Sequence, residues 1–362
     1  MSVVIRGNVR ISGNNYRRRI TIDHTKVPSD LTDFPTLVSV SGLSNINANG
    51  TDIRFRDANG FELAREIESY AAGVLVAWVK IPLLSSTVDT VIYMHYGNTG
   101  AQEPAANSAY GRQSVWSNGY AGVWHLKETG TNSTVFDSTA NANNSTTHYW
   151  TPTTGKIGRG AYREGFNGIK FPNSASLQIA TALSLSVWYK YTAKGNDYGR
   201  IIVKELPTGT APWVTYGLGL DNGIQGNQKV LFNANKSSTE TSSAKTSAVL
   251  AVNSTYHIAG VYDPLISQTK IYLNGLDDTA ESSFGNSTLA VNNGAFSIGT
   301  DTMYNQYTVG VYDEVRISNV ARSASWIATE YANQNDPSTF HMMAGEETIG
   351  GRVWIGDKYP LD

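Results

Sequence analysis

The stretch Gly310 to Ser318, with the sequence GVYDEVRIS, decides the fold of this chain. Its apolar Val315 and Ile317 alternate with polar residues, which is the period of two that is typical of a strand with one buried face. Asp313 and Glu314 come just before that alternation. Because strands generally avoid acidic residues, this pair needs an explanation beyond strand propensity.

The segment that follows predicts a helix. Ser325–Ala332 has the sequence SWIATEYA, and its Trp326, Ile327 and Tyr331 are spaced for one apolar face. We expect this helix to pack on the sheets after the last strand.

Strand-like segments occupy much of the chain from residue 115 onward. They are VWSNGYAGVWHLKE (115–128), GFNGIKFPNSASLQI (165–179), ALSLSVWYKYTA (182–193), IIVKEL (201–206), WVTYGLGL (213–220), KVLFNAN (229–235), TYHIAGVYD (255–263), KIYLNG (270–275) and AFSIGTD (295–301). Asn274-Gly275 predicts a type I′ hairpin turn, because both residues tolerate a positive φ.

In their order and in their sequences, these segments resemble the LamG-like (concanavalin A-like) jelly roll through its length. KIYLNG and VYDEVRIS are the most diagnostic segments. The resemblance implies a jelly-roll sandwich over residues 115–345, with GVYDEVRIS as its closing strand.

Residues 14–104 predict a separate, smaller β-sandwich. Six short strand candidates fit into this unit: 16–22, 36–40, 52–56, 63–69, 73–81 and 90–96. Asp57-Ala58-Asn59-Gly60 between two of them is a strong hairpin signal. The stretches YRRRITID, DLTDFPTLVSV, TDIRFRDANG, AREIESY, LVAWVKIPLLSS and VIYMHYGN resemble an uncharacterised domain family that recurs directly before LamG-like jelly rolls.

The predicted architecture is therefore all-β: a small β-sandwich, then a jelly-roll sandwich with one short helix near its C-terminal end. Residues 105–114 form a linker between the two units. Residues 1–13 are an N-terminal arm or edge strand, and the apolar tail 346–362 either folds back on the domain or makes an assembly contact.

Composition excludes several classes of function. The 362 residues carry a formal net charge of −2, so no electrostatic footprint for nucleic acid or an anionic membrane exists. No cysteine occurs, which removes disulfides and thiolate chemistry. No apolar run is long enough for membrane insertion. The start, MSVVIRGNVRISG, lacks the apolar run of a secretory signal peptide, so we expect a truncated exported protein or a viral protein made in the host cytoplasm and released by lysis.

Glycoside hydrolysis, the activity that the fold most invites, needs two carboxylates in one cleft. The Glu-x-Asp-x-x-Glu motif of catalytic concanavalin A-like proteins is absent. The nearest pairs are Glu66 with Glu68 and Asp277 with Asp278, and neither has a third acid at suitable spacing. Adjacent acids such as those in VYDEVR point to opposite faces if both are extended. We therefore predict that these acids are solvated and that the protein is not an enzyme.

Histidine chemistry is not predicted either, because the six histidines show no close pairing for zinc. His125 and His257 lie inside apolar runs, and we expect them to be hydrogen-bonded core residues.

The resemblance implies one structural Ca²⁺, since LamG-like jelly rolls often bind calcium. The matching positions are Asp137 in FDSTANAN and Asp313 in VYDEVR, with Asn141, Asn143 and Glu314 as helpers. Calcium prefers six to eight oxygen ligands, which acids and amides can supply. The alternative is that the asparagine-rich loop only forms Asx-turns.

Aromatic side chains in loop-like stretches are candidates for stacking on sugar rings. The glycan-binding candidates are Tyr149, Trp150, Tyr198, Trp213, Tyr304 and Tyr307. Trp78, Trp124 and Trp188 lie in alternating runs instead, so we expect them in the core.

These observations favour a non-enzymatic virion surface protein of a bacteriophage, as a capsid decoration, a fibre or a tail-associated adhesin. Its expected partners are cell-surface glycans, other virion proteins and further copies of itself, as a homo-oligomer. The alternatives are an exported bacterial adhesin or carbohydrate-binding module, and a glycan hydrolase.

Overall fold

The computed structural model describes residues 13–195, 198–207, 211–222, 228–301, 303 and 305–349. The predicted N-terminal arm apart from Gly13, the candidate Tyr304, and residues 350–362 of the predicted tail lie outside the described residues.

The first unit contains two antiparallel sheets. Its strands are β1 (Tyr16–Ile22), β2 (Leu31–Val40), β3 (Arg54–Asp57), β4 (Glu62–Leu63), β5 (Arg65–Ala71), β6 (Val74–Leu84) and β7 (Thr90–Tyr96), with 3₁₀ turns at His24–Lys26 and Ala48–Gly50. Sheet A has the order β1-β7-β3-β4, and sheet B has the order β2-β6-β5. The predicted hairpin turn joins β3 to β4, where Asp57 Oδ1 accepts hydrogen bonds from the backbone N–H groups of Asn59 and Phe61.

The second unit begins after a short helix, α1 (Arg112–Val115). Its strands are β8 (Tyr120–Trp124), β9 (Thr151–Thr154), β10 (Arg159–Arg163), β11 (Ile169–Phe171), β12 (Leu183–Ala193), β13 (Arg200–Glu205), β14 (Val214–Leu220), β15 (Val230–Asn235), β16 (Thr241–Thr246), β17 (Thr255–Asp263), β18 (Gln268–Leu273), β19 (Leu276–Asp277), β20 (Thr279–Ser283), β21 (Phe296–Ile298), β22 (Thr300–Asp301), β23 (Gln306–Tyr307) and β24 (Val309–Ser318), with a 3₁₀ turn at Ala175–Leu177.

These strands form a jelly-roll sandwich. Sheet C has the order β19-β18-β17-β12-β24-β10-β9, and β8 also pairs with β24. Sheet D has the order β11-β21-β13-β14-β15-β16-β20, and β22 pairs separately with β23. Asn274 and Gly275 join β18 to β19 with φ values of 51° and 80°, as the turn prediction requires.

The chain then returns to the first unit. Helix α2 (Ala324–Asn335) confirms the predicted helix, and its N-cap Ser323 accepts a hydrogen bond from Trp326 N. After α3 (Pro337–Phe340), strands β25 (His341–Met343) and β26 (Glu347–Thr348) both pair with β1. The boundary at 345 stays a prediction, but the last described strands belong to sheet A. Among the described residues, no helix has the length and apolar character needed to span a bilayer.

Two apolar cores hold the molecule together. One lies between sheets C and D, and it includes Trp124, Tyr189 and Phe232. The other fills the first unit and continues onto the outer face of sheet C, where it includes Val123 and Val261. The first unit and α2 therefore cover the back of the jelly roll, and burial of this apolar area is the main force that joins the two units.

A β-bulge interrupts the closing strand at the acidic pair. Glu314 has a φ of 50°, and the register between β12 and β24 shifts between Ser186 and Trp188. The chain is therefore not extended at this point, and the alternation predicted for Asp313 and Glu314 does not apply. Both side chains are buried, with relative exposures of 1%.

Candidate functional site

Asp137 is the first predicted calcium ligand, and both oxygens of its carboxylate already accept hydrogen bonds from the protein. Its Oδ1 accepts hydrogen bonds from Val123 N at 3.0 Å and from Thr139 N at 2.9 Å. Its Oδ2 accepts from Thr139 Oγ1 at 2.8 Å and from Asn143 N at 2.9 Å. These bonds close the loop in the manner of the Asx-turn alternative.

The two predicted helper asparagines are also used within the loop. The side-chain amides of Asn141 and Asn143 both donate to Ala121 O, at 3.0 and 2.9 Å. Asn143 Oδ1 accepts from Ser174 Oγ at 2.6 Å. The loop lies beside β8, whereas Asp313 and Glu314 lie on β24, on the other side of β8. The five predicted residues thus do not form one oxygen cage in this arrangement, and calcium binding stays a prediction.

A different cluster of charged side chains lies at the junction of the two units. Glu66 and Glu68 come from β5, and His125 directly follows β8. His125 Nε2 lies 3.3 Å from Glu66 Oε2, and its Nδ1 lies 2.6 Å from Glu314 Oε1 and 3.7 Å from Glu68 Oε2. All four residues are buried, which corrects the prediction that these acids are solvated. His125 is hydrogen-bonded as predicted, but to acids at a domain junction.

The close packing of opposite charges shifts the pKa values of this cluster. Burial favours neutral Glu66, but the charges of His125 and Lys127 outweigh it and hold the pKa of Glu66 well below its usual range. Burial raises the pKa of Glu68 to about 7, although the charge of His125 opposes that rise. Burial disfavours charged His125, but Glu314 and Glu66 raise its pKa to about 10. The cluster therefore holds ionised and neutral acids side by side.

Asp313 and Glu314 enter the same cluster because of the bulge. Glu314 Oε2 accepts from Arg316 at 2.7 Å, and Asp313 Oδ2 accepts from Ile157 N at 2.7 Å. Burial and then the charge of Glu314 raise the pKa of Asp313 well above its usual range. Within the part of the chain that the structure describes, Asp313 Oδ1 has no hydrogen-bond partner, although Asp313 is only 1% exposed.

Tryptophan side chains orient the acids. Trp78 Nε1 donates to Glu68 Oε2 at 2.9 Å, and Trp116 Nε1 donates to Glu66 Oε2 at 2.7 Å. The Arg316 guanidinium lies 4.4 Å from the Trp78 ring centroid and 5.0 Å from that of Trp116. The prediction that Trp78 is buried is confirmed, and its indole nitrogen serves the polar cluster.

A groove of about 730 Å³ opens over this cluster between the two units. Glu66 and Glu68 line one wall, and Lys127 and Ser138 line the other. The exposed ring of Phe136 also borders the groove.

The predicted aromatic residues separate into three groups. Trp150 is 2% exposed and donates its Nε1 to Ser133 O at 3.1 Å, so its prediction as a sugar platform is corrected to a core position. Trp213 is partly exposed and comes just before β14, whereas Tyr198 comes just before the antiparallel β13. Trp213 and Tyr198 therefore lie at opposite ends of sheet D.

Three aromatic residues, Tyr149, Phe166 and Tyr307, lie at the same end of the jelly roll as Tyr198. We call this end the rim and define it by these four residues. Tyr149 precedes β9 and Phe166 follows the antiparallel β10. The rings of Phe166 and Tyr307 meet edge to face, with centroids 5.1 Å apart. Phe166 is 59% exposed, and Tyr149 and Tyr198 are also exposed.

A buried arginine fixes the backbone of the rim. The Arg163 guanidinium donates to Asn167 O at 3.0 Å and to Thr308 O at 3.1 Å, and also to the carbonyl oxygens of Gly165 and Gly299. These contacts join the loop that carries Phe166 to the loop that carries Tyr307, so both rings are held in position.

Phe166 is a candidate that the sequence prediction missed. Its signal is the tetrapeptide GFNG at 165–168, in which a large ring is flanked by turn residues. Because turn residues flank Phe166 on both sides, it does not belong to an alternating strand, and its ring is expected to be exposed.

Two family models match this chain. Residues 163–328 match the family described as the concanavalin A-like lectin/glucanases superfamily. Residues 49–153 match the family described as a domain of unknown function, DUF2341. Both matches agree with the resemblances stated from the sequence. No curated protein matches the chain.

Solved structures give weaker likenesses. The binding domain of Paraclostridial Mosquitocidal Protein 1 is 13% identical with a TM-score of 0.46, covering 59% of this chain and 52% of that one. Domain 4 of AbnA, a GH43 extracellular arabinanase from Geobacillus stearothermophilus solved with arabinotriose, is 20% identical with a TM-score of 0.45, covering 59% and 98%. Trypanosoma rangeli sialidase is 13% identical with a TM-score of 0.43, covering 69% and 41%. The chain thus spans about half the length of the mosquitocidal binding domain. TM-scores below 0.5 carry no argument about function.

Proposed function

The chain carries a concanavalin A-like domain preceded by a DUF2341 domain, and we propose that it is a non-catalytic glycan-binding protein displayed on a bacteriophage particle. The observation that carries the glycan part of this proposal is the aromatic rim, in which the exposed ring of Phe166 packs against the half-buried ring of Tyr307.

The chemistry of the rim supports sugar binding. An exposed aromatic ring offers an apolar face to the C–H groups of a sugar, and nearby polar groups bond its hydroxyls. Because Arg163 holds both loops, ordering the rings costs little on binding, which favours affinity. A shallow site of this kind binds weakly, so useful attachment to a cell needs many copies.

The placement of the first unit also supports display. That unit and α2 cover the outer face of sheet C, while the rim remains at the end of the sandwich. Ile349 N donates to Asn15 O at 2.8 Å, so these two residues lie side by side next to β1 of sheet A. The N-terminal arm or the C-terminal tail would then attach the protein to a particle or to further copies of itself.

The junction acids do not favour hydrolysis. A glycosidase needs one carboxyl group that is free to donate a proton and another that can reach the sugar. Glu66 and Glu314 are instead paired with His125, Lys127 and Arg316. Glu68, whose pKa burial raises, is itself buried and accepts a hydrogen bond from Trp78 Nε1. This supports a non-catalytic role over the alternative of a glycan hydrolase.

The test is binding of the purified chain, clustered on beads, to a broad array of bacterial glycans, with calcium and with chelator. We expect specific binding that is lost in Phe166→Ala and Tyr307→Ala. Two control variants also remove an aromatic ring, but outside the rim. They are Phe61→Ala in the first unit, where the ring is 71% exposed, and Trp213→Ala at the other end of sheet D.

Three outcomes would count against parts of this proposal, and a fourth, calcium dependence, would add to it. Silence across the array would favour a structural decoration that contacts other virion proteins. Binding that survives both rim variants would place the site elsewhere. Binding that needs calcium would support the predicted Asp137 site. Finding the protein in bacterial culture fluid, and not in purified phage particles, would favour the exported adhesin.

A further inference from the structure

The junction of the two units brings three metal-ligating side chains together from distant parts of the chain. Glu68 lies on β5, His125 follows β8, and Glu314 lies at the bulge of β24. Their ligand atoms all lie within 4.8 Å of one another, and all three residues are buried. A cation at their centre would need only small side-chain movements to bind all three.

Acidic side chains outnumber lysine and arginine at this junction. Five buried carboxyl groups lie beside Lys127, Arg316 and the two paired histidines, His125 and His257; they are those of Glu66, Glu68, Asp313, Glu314 and Glu330. Buried charges are expensive unless they are paired or bind a metal. Protonated His125 compensates part of this negative charge, and a divalent cation in place of that proton would do the same.

An unpartnered oxygen points independently to a ligand. Among the described residues, Asp313 Oδ1 has no hydrogen-bond partner, and the carboxyl group is close enough to Glu314, Glu68 and His125 to interact with their charges. A buried polar atom without a partner costs free energy, and a bound ion nearby is one of its ordinary explanations. This oxygen thus lies beside the group formed by Glu68, His125 and Glu314.

The donor set indicates the type of metal. Calcium takes oxygen ligands only, whereas a site with an imidazole nitrogen and several carboxylates suits Mn²⁺ or Zn²⁺. We propose that Glu68, His125 and Glu314 bind one divalent transition-metal ion that links the first unit to the jelly roll.

The surroundings fit such a site. Trp78 Nε1 donates to Glu68 and Arg316 donates to Glu314, and contacts of this kind orient metal-ligating carboxylates. The groove between the units reaches Glu68 and gives the ion a path of entry. The hairpin turn between β9 and β10 closes the other side, where Ile157 N bonds Asp313.

The test is titration of the full, chelator-treated chain with MnCl₂, followed by electron paramagnetic resonance of the free ion. We expect one Mn²⁺ per chain, displaced by ZnCl₂ and not by CaCl₂, and a higher melting temperature with Mn²⁺. Glu68→Gln and Glu314→Gln should each weaken binding at least about tenfold, since changes to outer partners alone cost 10- to 100-fold.

The matched control is Asp89→Asn, which alters the exposed group of Asp23, His24 and Asp89. That variant should bind Mn²⁺ like the unaltered chain. If Glu314→Gln does not fold, the Mn²⁺ affinity of Glu68→Gln tests the proposal. If neither variant folds, the test is whether the spectrum of the unaltered chain shows coupling of the bound Mn²⁺ to an imidazole nitrogen. The proposal fails if the chain binds no Mn²⁺, if binding survives Glu68→Gln, if only Asp89→Asn abolishes it, or if no nitrogen coupling is seen.

Discussion

Both faces of sheet C are buried, but by different means. On β12, Leu185, Val187 and Tyr189 point towards sheet D and form part of a dry core. On the opposite face, Ser186 and Trp188 point towards α2, and Arg316 of the neighbouring β24 meets the acids of the junction. One face is held by apolar burial, and the other combines apolar contacts with paired charges.

This difference teaches what each face depends on. Apolar burial does not change between pH 3 and pH 8, and it tolerates exchange of one apolar side chain for another of similar volume. A buried ion pair is sensitive to the removal of either partner and to pH, because the remaining charge is left without compensation. Four variants test this contrast.

The largest loss of stability is expected from Phe232→Ala in the dry core. Phe232 is fully buried, and its ring fills the space above Gly260 on the opposite sheet. The cavity should lower the free energy of unfolding by about 4 kcal/mol, measured by denaturant unfolding, with little dependence on pH. A loss below about 1 kcal/mol would mean that the two sheets close over the gap.

Arg316→Met should cost about 3 kcal/mol at pH 7, because it leaves Glu314 and Glu330 without their shared cation. Although burial favours neutral Glu330, the charge of Arg316 lowers its pKa to about 2. A lowered folded pKa stabilises the protein above the unfolded value of 4.5, and this stabilisation is lost as pH falls towards 2. The cost of Arg316→Met should therefore shrink below pH about 4.5.

The comparison with Phe232→Ala makes this pH test specific. Both variants are unfolded by denaturant at pH 7 and at pH 3.5, and only the difference for Arg316→Met should decrease at the lower pH. A pH-independent cost would mean that the guanidinium acts mainly through its contacts with Trp78 and Trp116.

Asn333→Ala should cost about 2 kcal/mol by breaking a contact between α2 and sheet B. The Asn333 side chain accepts from Leu37 N at 2.6 Å and donates to Leu37 O at 3.0 Å, so the variant leaves two buried backbone groups without partners. Exposed Asn335, on the same helix, is the site for a control substitution. Equal stability of both variants would show that water replaces the Asn333 amide.

Local patterns predicted the sheets but not the junction. Alternation in LSLSVWY and the Asn274-Gly275 turn depend on neighbours in the chain, and both predictions are confirmed. The pairing of Glu66 with His125 spans 59 residues, and no local pattern states which face of one domain will cover another. The bulge at Glu314 also escaped prediction, because its positive φ depends on pairing with β12.

The rim was partly predictable because its candidates are aromatic residues in loop-like stretches. Tyr149, Tyr198 and Tyr307 were identified in this way, while Trp150 shows the limit of the argument. Its position next to Tyr149 is loop-like, but the alternation of side chains turns one ring outward and the next into the core.

Phe166→Ala should change the free energy of unfolding by less than about 0.5 kcal/mol, the smallest effect of the four, because the ring is 59% exposed. Glycan binding by clustered protein should nevertheless be lost, so stability and binding separate at this residue. Arg163→Met is the informative companion, since it removes the guanidinium that donates to four carbonyl oxygens of these loops and should weaken both stability and glycan binding. A large loss of stability in Phe166→Ala would instead make the ring a structural part of the fold, and the rim would no longer be a free surface.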